Sequence, residues 1–211
     1  MTLTNVLSST AIGSESTVHV TKLRAHRPPD SSSCQTKKYG YDASSYNPVP
    51  TRHLDALLSS LLPTIPITIL PGPTDPATAS LPQQPLHTAL FPTAKVYDTS
   101  TLTRTTNPCT LTIDSTTLIC TAGQNIDDIY HYIEGEDRLS MAERCLDWRV
   151  VAPTAPDTLW CYPFVDRDPF VITETPQVLV VGNQPEFATR LVERGGEKCR
   201  VVLVRVKVEV S

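Results

Sequence analysis

The chain has 211 residues, with 18 Lys and Arg against 22 Asp and Glu, a net charge of −4 and a pI near 5.7. That length predicts one domain with enough chain to bury a core, and the acidic balance excludes a global basic footprint for nucleic acid. The apolar runs are too short to cross a bilayer as a helix, and six cysteines without one Cys-x-x-Cys pair exclude a zinc ribbon.

Residues 1–20 are rich in Ser and Thr and hold a predicted strand near Leu3–Leu7. The start lacks a charged segment followed by an apolar one, so no secretory leader is expected. Residues 21–50 read as a polar, flexible loop marked by Pro28-Pro29-Asp30, with scattered cations at Arg24, Arg27, Lys37 and Lys38. His19 and His26 lie in or near it, with no Cys or carboxylate spaced to make them ligands. After Pro50, Thr51 is the expected N-cap of a helix in which Leu54, Leu57, Leu58, Leu61 and Leu62 form one apolar stripe and Pro63 forces the end. His53 falls on the rim of that helix. Ile67–Leu70 is a core strand, and residues 71–98 follow as a loop with six prolines between Pro71 and Pro92, which no helix interior or central strand accepts. The expected form is a rigid surface platform, with the Gln83 and Gln84 amides bonded to backbone groups to fix it.

Thr110–Ile113 and Thr117–Cys120 alternate around Asp114-Ser115-Thr116 and predict a hairpin. Gly123 is its exit turn, and Asn125 is the expected cap of a helix over Ile126–Ile133. Asp127 and Asp128 then sit in the first turn, where the macrodipole favours negative charge, so the pair needs no metal to explain it. A helix over Leu139–Trp148 places Leu139, Cys145, Leu146 and Trp148 at contact positions. Ala152–Phe164 joins Leu159, Trp160, Tyr162 and Phe164 to three prolines, which suits a packing corner or a protein interface. Trp160 leans towards packing; Gln83, Gln84, Trp160, Tyr162 and Phe164 are the candidate interface residues. Asp166-Arg167-Asp168-Pro169 is a turn without a nearby His or nucleophile to support acid–base chemistry. Val178–Val181 is a buried strand, Gly182-Asn183 its turn, and Glu186–Glu193 a short helix broken at Gly195-Gly196. Val201–Val210 ends the chain as a strand with one wet face. Cys120 and Cys199, in or beside apolar runs, are expected to be buried free thiols.

Two short strings follow core strands: Gly72-Pro73-Thr74-Asp75 after Ile67–Leu70, and Gly182-Asn183-Gln184-Pro185 after Val178–Val181. With Leu81-Pro82-Gln83-Gln84-Pro85-Leu86-His87, Gly123-Gln124-Asn125-Ile126-Asp127-Asp128 and residues 152–164, in this order, they resemble the B-subunit family of the replicative DNA polymerases, and its delta branch in particular. The resemblance runs from about residue 50 to about residue 205. It implies an α/β fold of the calcineurin-like metallophosphoesterase type, a sandwich of mixed β-sheets flanked by helices.

Active metallophosphoesterases carry Gly-Asn-His-Asp/Glu at the first of those places and Gly-His-x-His at the second. Here Pro73 and Thr74 stand in the first and Asn183 and Pro185 in the second. Imidazoles are what such a dinuclear centre needs. Gly72, Pro73, Thr74, Asp75, Gly182, Asn183, Gln184 and Pro185 are therefore read as a degenerate former site, with no catalytic residue, metal or cofactor expected. No Asp-x-His occurs, and Thr4-Asn5 stands where a Gly-Asp would. The expectation is that residues 1–211 are a partial phosphoesterase-like domain, truncated at the N-terminus and lacking the family's oligonucleotide-binding-type domain.

The resemblance implies a non-catalytic scaffold, nuclear, serving DNA replication and repair. It would bridge the C-terminal domain of the DNA polymerase delta catalytic subunit and a third accessory subunit. DNA would be reached indirectly through the complex, and no membrane is involved. The alternative is a metal-dependent phosphodiesterase or exonuclease, as archaeal members of the family are, and it needs the ligands this chain lacks. A sequence-nonspecific DNA-binding module is disfavoured by the acidic balance.

Overall fold

The computed structural model describes residues 2–12 and 15–24 as backbone strands, and residues 48–135 and 137–205 with their side chains. The elements in chain order are β1 (Thr2–Ile12), β2 (Glu15–Arg24), α1 (Val49–Leu61), β3 (Ile67–Leu70), β4 (Leu102–Arg104), β5 (Cys109–Ile113), β6 (Thr116–Thr121), α2 (Gln124–Tyr132), α3 (Arg138–Asp147), β7 (Val178–Val181), β8 (Ala188–Arg194) and β9 (Glu197–Leu203). They form an α/β fold with two mixed sheets. The first has the order β2-β1-β3-β4, with β1 antiparallel to both neighbours and β3 parallel to β4. The second has the order β5-β6-β7-β9-β8, with β6, β7 and β9 parallel and antiparallel strands outside them.

Strand alternation sorts the core into three clusters. Ile67 and Ile69 on β3 and Leu102 on β4 meet Leu54, Leu58 and Leu62 from the α1 stripe, and Phe91 closes the cluster. Leu70, with Leu118 and Cys120 of β6 and Val180 of β7, forms the layer between the sheets. On the far face of the second sheet, Ile119, Leu179 and Val181 pack against Ile126 and Ile129 of α2 and Ala142 and Cys145 of α3. The layers thus run helix, sheet, sheet, helices. Each fully buried Leu or Ile contributes about 1.5–3 kcal/mol relative to exposure.

Several boundaries differ from the sequence reading, each for a local reason. α1 begins at Val49 with Pro48 at its N-cap, and Thr51 is a buried helical residue, not the cap. Pro50 is accepted because first-turn amides have no intrahelical partner to lose. The helix does stop at Leu61, with Leu62 as C-cap just before Pro63. Asp55, on the buried face, accepts from the Thr93 and Ala94 N–H groups at 3.1 and 2.8 Å and ties α1 to a 3-10 turn at Ala94–Tyr97.

Residues 21–24 belong to β2, not to a loop; the rest of that segment up to residue 47 lies outside the described residues. Residues 186–193 are not a helix. Ala188–Arg194 forms β8, antiparallel to β9 in the register Val192 to Cys199. Gly195 and Gly196, at φ +58° and +88°, supply the two positive angles of a two-residue hairpin turn, so the pair that suggested a helix stop is a strand-to-strand turn. β9 starts at Glu197, earlier than expected, and ends at Leu203; Val206–Val210 lies outside the described residues. Asp114 and Ser115, also at positive φ, make the same kind of turn between β5 and β6.

Candidate functional site

The loops leaving the C-terminal ends of β3, β6 and β7 meet at one junction. After β3, the Gly72 N–H donates to Asp75 Oδ2 at 2.8 Å and the Asp75 N–H donates to the Gly72 carbonyl at 3.3 Å. Asp75 is buried, its carboxylate bent back into its own turn. After β7, Asn183 takes the left-handed conformation at φ +58°, and its Nδ2 donates to the Ala122 carbonyl at 2.7 Å. A Cβ on Gly72 would stand 3.6 Å from that Nδ2, so the two strings of the proposed former site do touch.

After β6 the third loop is pressed hardest. Gly123 is the N-cap of α2, at φ +92°, and a Cβ there would lie 2.1 Å from the Gly182 carbonyl oxygen and 2.7 Å from Gln184 Nε2. Only glycine fits, on conformation and on space. This corrects the reading of Asn125 as cap. Asn125 is buried inside the first turn, where its Oδ1 accepts from the Thr121 hydroxyl at 3.1 Å and its Nδ2 donates to the Val151 carbonyl at 2.6 Å.

A cluster of carboxamides joins these loops. Gln83 Nε2 donates to the Gly72 carbonyl at 3.1 Å and to the Thr78 carbonyl at 2.9 Å. Those two carbonyls fix which end of the amide is nitrogen. Gln83 Oε1 accepts from Asn107 Nδ2 at 2.8 Å and from Gln124 Nε2 at 3.0 Å. Asn107 also donates to Gln124 Oε1 at 2.6 Å, and its Oδ1 accepts from the Ala122 N–H at 3.0 Å. The Gln83 and Asn107 backbones pair as an isolated bridge. Every donor and acceptor of the Gln83 side chain is used, which is what a buried amide needs to avoid a desolvation cost. At 1% exposure Gln83 holds the platform from inside and is off the surface a partner could touch; Gln84 is exposed.

Gln184 completes the junction. It is buried, donates to the Gly182 carbonyl at 3.1 Å, and accepts from Arg138 Nη1 at 3.0 Å. Arg138 also pairs with Asp127 and lies 4.2 Å over the Tyr130 ring. Asp128 accepts from the Thr158 hydroxyl at 2.6 Å. Both members of the acidic pair thus have structural partners. Of the eight residues read as the former site, Gly72, Asp75, Gly182, Asn183 and Gln184 face the junction, while Pro73, Thr74 and Pro185 are exposed. Among the described residues, no group of three or more His, Cys, Asp or Glu side chains is placed to hold a metal ion. His53 and His131 are exposed on their helices, and His87 Nδ1 accepts from the Ala89 N–H at 3.1 Å, capping a 3-10 turn at Thr88–Leu90.

The sequence reading missed Asn107, Gln124 and Asp55. No periodic pattern marks them. The one available signal is a polar residue standing at a strand exit or beside an apolar stripe, which is common in solvated loops too.

The aromatic segment is also corrected. Trp160 is 69% exposed and is not a packing residue. The Leu81 N–H donates to the Trp160 carbonyl and the Tyr162 N–H to the Leu81 carbonyl, both at 2.8 Å. That bridge turns Cys161 inward, and alternation then sends Trp160 and Tyr162 out. Phe164 is exposed as well, with its ring edge-on to Tyr162 at 5.1 Å. Trp148, expected at a contact position, is exposed beyond the end of α3.

Cys120 and Cys199 are buried free thiols, as expected, and two more cysteines join them. Cys109, Cys120, Cys145 and Cys199 are buried and free. Burial pushes Cys145 up to about 12 and Cys199 up to about 11. A hydrogen bond with Cys109, its partner across the hairpin, and burial push the Cys120 thiol up. The same hydrogen bond holds Cys109 below its ordinary value, whereas Cys120, Cys145 and Cys199 are not poised as thiolate nucleophiles.

A family model for the DNA polymerase alpha/epsilon B subunit matches residues 23–189. Curated relatives include the DNA polymerase delta small subunit of Oryza sativa subsp. japonica, 46% identical over 155 residues, covering 74% of this chain and 35% of the relative. The DNA polymerase delta small subunit of Arabidopsis thaliana is 44% identical over 156 residues, covering 74% and 35%. That of Saccharomyces cerevisiae is 38% identical over 175 residues, covering 70% and 36%. The chain spans about a third of the length of these relatives. With most of its length matched, the chain belongs to the B-subunit family of DNA polymerases alpha and epsilon.

Proposed function

We propose that this chain serves as a non-catalytic accessory subunit of DNA polymerase delta, in DNA replication and repair in the nucleus. It bridges the C-terminal domain of the catalytic subunit and a further accessory subunit, and meets DNA through the complex. The observation that carries this reading is the content of the three-loop junction. Where a calcineurin-like metallophosphoesterase would gather imidazoles and carboxylates, this chain gathers Gln83, Asn107, Gln124, Asn183 and Gln184, with the Asp75 carboxylate drawn into its own turn. Neutral amides that satisfy one another can hold loops in place; they cannot activate a water or polarise a phosphoryl group. The names of the relatives support the assembly, and helix–sheet–sheet–helix layering supports the phosphoesterase-type fold.

The function is then binding, and the amide cluster is what keeps the docking loops rigid. A stable interface of this kind buries upwards of ~1,000 Å² in total. The test is co-expression of the chain with the C-terminal domain of the catalytic subunit and with the further accessory subunit. A stoichiometric complex on size exclusion is expected, with no manganese-dependent turnover of a phosphodiester substrate. A folded, soluble chain that binds neither partner overturns the scaffold reading. Metal-dependent turnover abolished by Asp75→Asn overturns the non-catalytic one.

A further inference from the structure

The segment around Cys161, at its bridge to Leu81, carries more exposed apolar surface than a solvated turn needs. Trp160, Tyr162 and Phe164 are 69%, 61% and 48% exposed, and Val165 is 96% exposed. The three rings stand at alternate positions, and the Tyr162 and Phe164 rings meet edge-on. Contiguous exposed aromatics of this kind mark an interaction surface. The ribbon also has a charge. Asp157, Asp166 and Asp168 flank it, against Arg167 alone, and all four are exposed. Asp168 lies beside the middle of this segment: one of its oxygens accepts from the Phe170 N–H at 2.8 Å, and its charge, after burial, helps push the thiol of Cys161, between Trp160 and Tyr162, up.

Rings with carboxylates beside them suit one occupant. An extended partner presents side chains towards one face at every second residue, so several of them can lie against the rings at once. Arginine or lysine side chains on that face gain twice, from ring faces and from carboxylates. A row of exposed rings could also stack the bases of single-stranded DNA, but its phosphates would meet the three carboxylates, which repel them. We infer that Trp160, Tyr162, Phe164 and Val165, with Asp166 and Asp168, form a docking ribbon for a basic, extended peptide segment of a partner protein. The scaffold reading suggests that such a segment belongs to another polymerase subunit, but the surface itself does not depend on that reading.

The experiment is a titration of the full chain, by tryptophan fluorescence and calorimetry, with a short synthetic Arg/Pro-rich peptide. A Glu/Pro-rich peptide of equal length and oligo-dT are the comparison probes. The basic peptide is expected to bind best and to weaken as salt rises. The double variant Trp160→Ala with Tyr162→Ala is expected to weaken it roughly tenfold, and Asp166→Asn with Asp168→Asn by a similar factor. Glu174→Gln with Glu186→Gln, which removes exposed charge elsewhere, is expected to leave it unchanged. Equal loss in that control pair reduces the effect to bulk attraction and overturns the inference. So do unchanged binding in the aromatic variant or tighter binding of oligo-dT. Since the altered side chains are exposed, the melting temperature of each variant separates lost binding from lost fold. Binding of the basic peptide by a chain that fails to co-purify with polymerase subunits would sink the scaffold reading and leave the ribbon standing.

Discussion

Residues 71–84, with four prolines, and residues 159–168, with Pro163, both lack regular structure and are joined at the Leu81–Cys161 bridge. They are nonetheless opposite kinds of loop. The first is stitched from beneath by a saturated amide, with Gln83 reaching Gly72, Thr78, Asn107 and Gln124. The second turns its largest side chains into solvent on either side of the bridge. Proline stiffens both chains; a buried polar network fixes only one of them in place. The difference separates a part of the molecule that sustains the fold from a part left over for partners.

The comparison breaks most visibly at the junction. Gly123→Ala puts a methyl 2.1 Å from the Gly182 carbonyl and asks a residue with a side chain to hold φ +92°. The β6–α2 and β7 loops must then separate, at a cost on the order of 3–5 kcal/mol. Chemical denaturation checks this; a loss under about 1 kcal/mol would mean that the loops are not packed as described.

Gln83→Leu comes next. It keeps the bulk but strands the Asn107 and Gln124 amides and the Gly72 and Thr78 carbonyls, for an expected loss of about 2–4 kcal/mol. Paired with Asn107→Leu in a double-mutant cycle, the losses are expected to be clearly sub-additive, because each change alone already orphans the other. Additive losses would show two independent amides in place of one network.

The amide cluster is also where sequence reasoning stopped. The α1 stripe, the β5–β6 hairpin and the Val178–Val181 strand were legible because burial imposes a period of 3.6 or 2 on the chain. The two strings after β3 and β7 were paired by resemblance alone, and they lie against each other at Gly72 and Asn183. Asn107 and Gln124 were not, because a hydrogen bond between residues far apart in sequence leaves no local pattern. The Ala188–Arg194 strand was missed for another reason. Its wet face carries Thr189, Leu191 and Glu193, so its alternation is weak, and the Gly195-Gly196 pair reads equally as a helix stop or a hairpin turn. Trp160 was misplaced because composition cannot say which side of a strand bridge faces solvent.

A smaller effect belongs to the other end of the junction, where Asp137 caps α3 by accepting from the Leu139 and Ser140 N–H groups at 3.0 and 3.1 Å. Asp137→Ala is expected to cost about 1–2 kcal/mol at neutral pH. The Ser140 hydroxyl first, then the Ser140 N–H and the Arg190 guanidinium, hold this carboxyl below its ordinary value of 3.8. A depressed folded value means that the contribution is fully present above that ordinary value and is lost as pH falls through the lower, folded one. The wild-type chain should therefore lose stability relative to Asp137→Ala on acidification below about pH 4. Parallel stability curves for the two proteins across that range would remove the cap as the cause.

The smallest expected change sharpens the comparison most. Trp160→Ala deletes the largest side chain of the ribbon, and in a core position that would cost about 3–5 kcal/mol. Here the indole is mostly in water, and the bridge that positions it uses only backbone groups. Its removal is expected to shift stability by less than about 0.5 kcal/mol, in either direction. A loss like that of Gln83→Leu would mean that the ribbon is a second structural lock, and its rings would have to be packed against something. A near-zero change in stability, alongside weakened peptide binding, would separate the two loops as cause and use: one holds the junction shut, and the other spends its exposed surface on a partner.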